Sequence, residues 1–468
     1  MSRNIYADVN QDEKRVAIVE QGKLVDVYIQ RGEEAKSAGN IYIGRVQNVL
    51  EGINSCFVDI GKGKNAFLPI SDYTGDIRKN EKIVVQVVKE EVQEKGAKIT
   101  GKISLPGRML VFMPYDGKIG VSRNIEGQEE RERLKTILTE TASKGVGFVA
   151  RTAAAEKTKK EIVREARFLM KLWSRIEREI KKAMKSSKPV LVYEESDIVT
   201  YAAREFLDKD TKQFLINDKD TFKKVGAFVK KIFPEFKDKI QQYDSDLSLF
   251  ERYKVEAQID NLKKRKISLD CGGYIIIEQT EALTAIDVNT GSFTSGTDRE
   301  STAMKVNEEA ARLAASQIIL RDLGGIIIID FIDLENRNNR QKLLNIMREE
   351  MKIDKAKLRI YPMSRLGLIE LTRQRRKESI VNVICRDCPY CSGSGMIYSE
   401  FTMYVKIKRE LMRKGPAIDE KKINLFMHPR VADVFTSKGY ADIEKLLKKK
   451  INIRSDYKLH HEEYKITP

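Results

Sequence analysis

Two apolar stretches, ALTAIDVNTG (282–291) and GGIIIIDFIDL (324–334), decide the fold of the most informative part of the chain. Each is typical of a buried strand, and each apolar run ends in an aspartate. A helical pattern over residues 298–322 separates them. A strand, a helix and a strand in one sheet give two parallel strands joined by a right-handed crossover. The sequence therefore predicts an α/β region in which both strands end at the same edge of the sheet.

Asp287 and Asp330 are the residues at that edge, where ligands of open α/β sheets bind. Ionised carboxylates at the end of an apolar strand are costly unless they are paired or bind a metal. Two carboxylates suit Mg²⁺, which can activate water and neutralise a phosphodiester under attack. Asn289 is expected to orient a carboxylate or the attacking water. The alternative is that these aspartates only cap helices or loops, and Asp333 fits that alternative better.

The N-terminal quarter of the chain is predicted to be all strand. KRVAIVEQGKLVDVYIQ (14–30) alternates apolar and polar residues around Gln21-Gly22, which indicates a hairpin. Residues 39–105 contain five short strands separated by turns, which favours a small barrel, with the OB-fold as the leading candidate.

Phe57 and Phe67 fall on neighbouring strands of this barrel, close to Lys62, Lys64 and Lys95. On an OB-fold surface, aromatic side chains stack on bases and lysines follow the phosphates. Two core phenylalanines would give the same pattern, so the sequence leaves both interpretations open.

A helix is predicted over residues 129–142, a short strand at GFVART (147–152) and a long helix around 156–185. Apolar residues recur on the long helix at gaps of three and four, which indicates a core-facing stripe. Arg151 beside the Thr152 hydroxyl would suit a terminal phosphate, although an ordinary surface arginine is the alternative.

The composition limits the class of protein. The 468 residues are enough for about three domains and carry a formal net charge of +17. Such an excess of Lys and Arg favours polyanionic partners such as nucleic acid, with a merely basic enzyme as the alternative. We expect no membrane span and no signal peptide, and therefore a cytoplasmic protein.

Three of the five cysteines lie in CRDCPYCSGSG (385–395). A structural zinc site needs four nitrogen or sulfur ligands, but no histidine is close in sequence. A redox pair is disfavoured because the motif does not open a helix of a thioredoxin-like unit.

Together these motifs resemble the ribonuclease E/G family. Besides the two aspartate stretches, the resemblance rests on CFVDIGKGKNAFLP (56–69), SRLGLIELTRQR (364–375) and CPYCSGSG (388–395), in the same order. It implies a multidomain α/β (α+β) chain with the following parts: an RNase H-like part split into 1–36 and 195–262, an inserted OB-fold barrel (37–119), a 5′-sensor region (120–194), a DNase I-like catalytic part (263–383), a zinc link (384–396) and a small C-terminal domain (397–468).

The resemblance also assigns roles to the residues above. Asp287 and Asp330 would hold a catalytic Mg²⁺ with Asn289 in support. The barrel residues Phe57, Phe67 and Lys95 would clamp single-stranded RNA, and Gly120, Arg151 and Thr152 would bind a 5′-monophosphate. Cys388 and Cys391 would share a Zn²⁺ with the same pair of a second subunit in a homodimer, and whether such dimers pair further into a tetramer is left open. Cys385 adds a third thiol, which leaves open which two cysteines bind the metal.

The implied activity is hydrolysis of single-stranded RNA to 5′-phosphate and 3′-hydroxyl ends. Ribosomal RNA maturation and messenger RNA decay both fit this activity. Two other classes remain open at this point: a non-catalytic RNA-binding or assembly protein, and a DNA nuclease.

Overall fold

The computed structural model describes residues 2–32, 37–89, 91, 96–195, 197–292, 298–375 and 379–468. The chain divides into two units, Met1–Val383 and Ile384–Pro468. Lys95, which the sequence analysis assigns to RNA binding, lies outside the described residues.

The chain begins with an antiparallel meander of three strands: β1 (Arg3–Val9), β2 (Glu13–Glu20) and β3 (Lys23–Arg31). The predicted hairpin is formed by β2 and β3. Its turn residues Gln21 and Gly22 have φ of 50° and 79°. Two positive φ angles are what a two-residue type I′ turn requires, so the turn predicted from the sequence is confirmed.

The next five strands form the barrel: β4 (Ile41–Leu50), β5 (Ser55–Asp59), β6 (Ala66–Pro69), β7 (Lys82–Lys89) and β8 (Lys98–Thr100). The strands pair in the order β4-β5-β6-β8-β7, and β7 pairs again with β4, which closes the sheet. Cys56, Val58, Ala66 and Leu68 point inwards and are fully buried. A closed five-stranded barrel agrees with the predicted OB-fold.

A second small sheet follows, and two helices share its buried core. Its elements are β9 (Leu105–Pro106), β10 (Leu110–Met113), β11 (Ile119–Val121), α1 (Gln128–Thr141), β12 (Gly147–Ala150), α2 (Lys159–Ala183) and β13 (Val190–Tyr193). The sheet order is β11-β12-β10-β9, whereas β13 joins the barrel strand β4. Strands β9 and β10 thus lie within the segment predicted as barrel (37–119) and β11 begins at its last residue, but these strands pair in the second sheet with β12. The apolar stripe of α2 is buried throughout, as predicted.

The chain then returns to the N-terminal sheet. The elements are α3 (Ile198–Phe206), β14 (Thr211–Ile216), α4 (Lys219–Ile232), β15 (Ile240–Gln242), α5 (Leu249–Arg252) and α6 (Val255–Asn261). Strand β14 pairs in parallel with β1, which gives the order β15-β14-β1-β2-β3. One sheet therefore joins two distant segments of the chain around the barrel and the second sheet. Its RNase H-like character stays a prediction.

The two aspartate stretches lie in a six-stranded sheet. Its elements are β16 (Lys266–Ser268), β17 (Tyr274–Gln279), β18 (Leu283–Asn289), α7 (Arg299–Leu320), β19 (Gly325–Asp330), α8 (Arg337–Glu350), β20 (Leu358–Ile360) and β21 (Leu368–Arg373). The order is β16-β17-β18-β19-β21-β20, and β18 and β19 are parallel with α7 between them along the chain. This confirms the predicted strand–helix–strand unit, while the DNase I-like assignment stays a prediction.

A short helix, α9 (Ile380–Ile384), leads to the boundary of the second unit. That unit contains α10 (Glu400–Lys414), β22 (Lys422–Met427), α11 (Pro429–Lys438), α12 (Ala441–Leu447), β23 (Lys450–Ser455) and β24 (Tyr464–Thr467). Its sheet has the order β23-β22-β24 and its own buried core. In neither unit do the described residues include a helix that is long and apolar enough to cross a membrane.

Candidate functional site

The parallel pairing of β18 and β19 places Asp287 directly opposite Asp330. In each strand the neighbours of the aspartate, such as Ile286 and Ile329, point into the core, so the two carboxylates point to the uncovered face of the sheet. The Asn289 amide donates a 2.6 Å hydrogen bond to Asp287 Oδ2. This hydrogen bond is compatible with the predicted role of Asn289 in orienting the Asp287 carboxylate.

Burial, and next the nearby Asp287 and Asp333, raise the pKa of Asp330 above its usual value. Asp333, which the sequence analysis assigned to a helix or loop cap, is thus close enough to act on Asp330. We call Asp287, Asn289, Asp330 and Asp333 the carboxylate edge. In the part of the chain that the structure describes, none of its three aspartates forms an ion pair with Lys or Arg.

The carboxylate edge is compatible with a magnesium site. Across the described ranges, no three or more His, Cys, Asp or Glu side chains are grouped closely enough to hold a metal by themselves. Mg²⁺ does not need such a cage, because it keeps several waters and binds through one or two carboxylates and substrate phosphates. The two adjacent carboxylates of Asp287 and Asp330, which have no cationic partner among the described residues, could supply these one or two protein ligands.

The carboxylate edge lies on an open surface. A cavity of about 1210 Å³ in the first unit is lined by residues such as Arg108, Glu165, Arg204 and Glu205, and none of the aspartates of the carboxylate edge takes part. An open edge can accept the middle of a long polymer, whereas an enclosed pocket favours a small molecule.

The barrel excludes one of the two interpretations of Phe57 and Phe67, that of core residues, while their contact with RNA stays a prediction. Both are half-buried on the outer surface, with ring centroids 6.0 Å apart, so they are not core residues. Strand pairing adds Asn48 opposite Phe57 and Lys98 beside Phe67. We call Asn48, Phe57, Phe67 and Lys98 the barrel row. Asn48 and Lys98 could not be grouped with the two phenylalanines from the sequence, because only the strand register brings them into line.

Of the predicted sensor residues, Gly120 lies in β11, and Arg151 and Thr152 directly follow the neighbouring strand β12. Gly120 of β11 pairs with Val149 of β12, two residues before Arg151. The Thr152 and Ser122 hydroxyl oxygens are 3.3 Å apart. Arg151, however, is engaged elsewhere: its guanidinium donates to the Gly107 carbonyl and to both carboxylate oxygens of Glu205. Glu205 belongs to no motif of the sequence that pointed to this site.

The second unit holds the cysteine motif. The Gly395 N–H donates to Cys391 Sγ at 3.3 Å. Hydrogen bonds from the backbone of Cys391 and Tyr390, followed by one from the Cys391 side chain, lower the pKa of the Cys388 thiol. Thiolates held by backbone N–H groups are suited to a metal, but two or three thiols are fewer than the four ligands of a structural zinc.

A histidine does come close to this motif in space. His460 Nε2 lies 2.6 Å from the Tyr390 carbonyl oxygen, and the two rings have centroids 4.2 Å apart. The histidine that the sequence places far from the cysteines thus contacts Tyr390, one of the two residues between Cys388 and Cys391. This contact braces the motif.

Comparison with known proteins identifies the class. The model of the Ribonuclease E/G family matches residues 104–376. Ribonuclease G of Salmonella typhimurium and of Escherichia coli K12 are each 34% identical over 489 aligned residues, which span 100% of this chain and 99% of theirs. Ribonuclease E of Haemophilus influenzae is 34% identical over 468 residues, or 95% of this chain and 50% of that protein. These matches define an enzyme of the endoribonuclease class. The chain belongs to the ribonuclease E/G family.

Proposed function

We propose that the chain is a Mg²⁺-dependent endoribonuclease that hydrolyses single-stranded RNA to 5′-phosphate and 3′-hydroxyl ends. The observation that carries the proposal is the pair of exposed aspartates, Asp287 and Asp330, in register on parallel strands without a cationic partner among the described residues. An acidic pair is unfavourable beside a polyanion unless a cation joins it. A protein that only bound RNA would gain nothing from an exposed pair of aspartates.

The residues of the carboxylate edge would have two different roles, metal binding and orientation of a metal ligand. Asp287 and Asp330 would hold the ion, and the Asn289 amide fixes the orientation of the Asp287 carboxylate. When bound, Mg²⁺ would supply positive charge at the phosphodiester and a more acidic water. The open sheet face leaves room for RNA to continue on both sides of the scissile bond.

The barrel row would hold the RNA next to the site. Phe57 and Phe67 present two half-exposed rings on which consecutive bases can stack, and Lys98 lies beside Phe67 for the phosphate backbone. Lys95 is proposed for the same role from the resemblance alone. Gly120, Arg151 and Thr152 would receive the 5′-monophosphate and favour substrates that carry it.

The cysteine motif supports a shared zinc. Cys388 and Cys391 would supply half of a tetrahedral site, and a second copy of the chain the other half, which makes a homodimer and allows a tetramer. Cys385 is the alternative third thiol. Zinc content and mass test this point: Cys388→Ser should lose both the metal and the dimer, whereas one zinc per chain would contradict sharing.

The cellular setting is proposed on the same family grounds: a cytoplasmic enzyme of ribosomal RNA maturation, messenger RNA decay or both. Mapping of new 5′ ends in cells with and without the enzyme would separate these roles.

The activity itself is tested with a short labelled RNA, its DNA counterpart and its duplex, at matched ionic strength. We expect cleavage of single-stranded RNA alone, complete loss in EDTA and recovery with Mg²⁺. RNA binding without cleavage would favour a non-catalytic RNA-binding protein. Equal cleavage of DNA would make the chain a general nuclease.

A further inference from the structure

Arg151 is held by a carboxylate that comes from another part of the first unit. Its Nη1 donates to Glu205 Oε1 at 2.9 Å and to the Gly107 carbonyl at 2.5 Å, and its Nη2 donates to Glu205 Oε2 at 2.8 Å. Glu205 belongs to α3, whereas Arg151 follows β12. A bidentate pair of this kind fixes the plane of the guanidinium as well as its position.

The planar geometry of the guanidinium determines which N–H donors of Arg151 remain available to a ligand. A guanidinium has five N–H donors in one rigid plane. Glu205 takes the edge formed by Nη1 and Nη2, which leaves the edge formed by Nε and the second Nη2 hydrogen. No described residue accepts a hydrogen bond from Nε of Arg151. The side chain keeps about a third of its surface exposed, at 33%.

Glu205 is itself immobilised. Its side chain is 10% exposed, and its Oε1 also accepts from Arg204 Nε at 3.3 Å. Arg204 in turn donates to Glu195 at 2.9 Å. Burial alone would raise the pKa of Glu205, but the ion pairs with Arg151 and Arg204 hold it below its usual value. Glu205 is therefore a fixed anion at neutral pH. We call Gly107, Arg151, Arg204 and Glu205 the sensor corner.

The backbone at Arg151 is fixed separately. Its N–H donates to the Met109 carbonyl at 2.7 Å, so the residue cannot drift. The direction of the guanidinium nevertheless depends on the side-chain contacts, and Glu205 supplies two of the three hydrogen bonds that Arg151 donates from its side chain.

We propose that Glu205 is a positioning residue for the 5′ end of the RNA: it holds Arg151 by one edge so that the other edge faces the 5′-monophosphate. The proposal deepens the proposed function and rests on it. Glu205 acts only through Arg151, and it would not touch the substrate.

The test compares kcat/KM on one short RNA with either a 5′-monophosphate or a 5′-hydroxyl. In Glu205→Gln the preference for the monophosphate should fall several-fold towards one, with most of the loss on the monophosphorylated substrate, because the amide cannot accept from both guanidinium nitrogens. The control is Glu235→Gln, which removes the carboxylate paired with Arg164 at 3.2 Å on the exposed surface of the same unit and should change neither rate.

A double-mutant cycle with Arg151→Ala distinguishes positioning from a general structural effect. If Glu205 acts through Arg151, then Glu205→Gln changes the preference no further once Arg151 is gone. An unchanged or larger preference in Glu205→Gln, or an equal loss on both substrates, would overturn the inference alone. A wild-type enzyme without any preference would overturn both the sensor and this inference.

Discussion

The carboxylate edge and the sensor corner use charged side chains in opposite ways. At the carboxylate edge, like charges lie on an exposed surface with no cationic partner among the described residues, and the pKa of Asp330 is raised. At the sensor corner and the adjoining Glu195, opposite charges alternate in the order Arg151–Glu205–Arg204–Glu195 in a largely buried place, and the pKa of Glu205 is lowered. The first arrangement is suited to an external cation. The second is complete by itself and is suited to fixing a geometry. Removing a charge from the carboxylate edge should therefore lower the activity. Removing a charge from the sensor corner should also lower the stability.

The largest effect is expected at the carboxylate edge. Asp330→Asn should lower cleavage by at least about 1000-fold, roughly 4 kcal/mol, because one of the two metal-binding carboxylates is lost. Single-turnover cleavage and RNA binding are measured side by side, and binding should change little. The thermal midpoint should not fall, since the change removes like-charge repulsion. Asp333→Asn is the matched control and should have a much smaller effect. Full activity of Asp330→Asn would contradict the metal assignment.

Arg204→Met, unlike Asp330→Asn, is expected to lower the stability of the first unit. Arg204 is 8% exposed and pairs with both Glu195 and Glu205, so its loss leaves two largely, but not fully, buried carboxylates with fewer partners. We expect a loss of about 3 kcal/mol in the free energy of unfolding of the first unit. Chemical denaturation measures it, with Arg164→Met as control, because that arginine pairs with Glu235 in a more exposed place. Equal stability of the two variants would show that the ion pairs of Arg204 do not stabilise the first unit more than the exposed pair of Arg164 does.

At the barrel row, the expected contact with RNA is base stacking on an uncharged side chain rather than an ionic interaction. Phe57→Ala should weaken binding of single-stranded RNA by about 1–3 kcal/mol, because one stacking platform is lost. Fluorescence anisotropy at fixed salt measures the affinity. Leu50→Ala, which removes an exposed aliphatic side chain from the same barrel, should leave it unchanged. If both variants bind alike, base stacking on Phe57 is not the source of affinity.

The smallest effect concerns pH. Burial raises the pKa of Glu165, which is 1% exposed and accepts from the Met109 N–H, to about 7. The folded state then keeps a proton that the unfolded state has already released, so the contribution of Glu165 to stability is greatest below the pKa of the unfolded state and is lost as pH rises through the folded pKa of about 7. Between pH 6 and 8 the loss is about 1 kcal/mol. Thermal unfolding of wild type and Glu165→Gln at pH 6, 7 and 8 should show a gap that moves in favour of the variant. A pH-independent gap would argue against this titration.

The carboxylate edge could be predicted from the sequence because it depends on local patterns. Two apolar runs, each ending in an aspartate, and one intervening helix were enough to pair Asp287 with Asp330. The position of Phe57 could not be settled this way, because alternation along a strand fits both surfaces of the barrel until the strand register is known. Lys98 and Asn48 depend on that register as well.

The sensor corner was beyond prediction for a different reason. Glu205 is 54 residues from Arg151 and His460 is 70 residues from Tyr390, and neither pair belongs to one motif. Such contacts depend on how whole elements pack. The magnesium, the zinc, the dimer and the domain boundaries stay predictions.

The split N-terminal sheet has a consequence for how the chain is made. Strand β1 pairs with β14, and Arg3 lies opposite Thr211, so the growing polypeptide must wait for a partner strand synthesised much later. At about 5–20 residues per second, that delay is roughly 10–40 s. The barrel between them can close first, since all its strands pair locally. The exposed edge of β1 is therefore the point at which a nascent chain is most open to wrong pairing, and we expect a ribosome-bound intermediate in which the barrel is folded and the surrounding sheet is not.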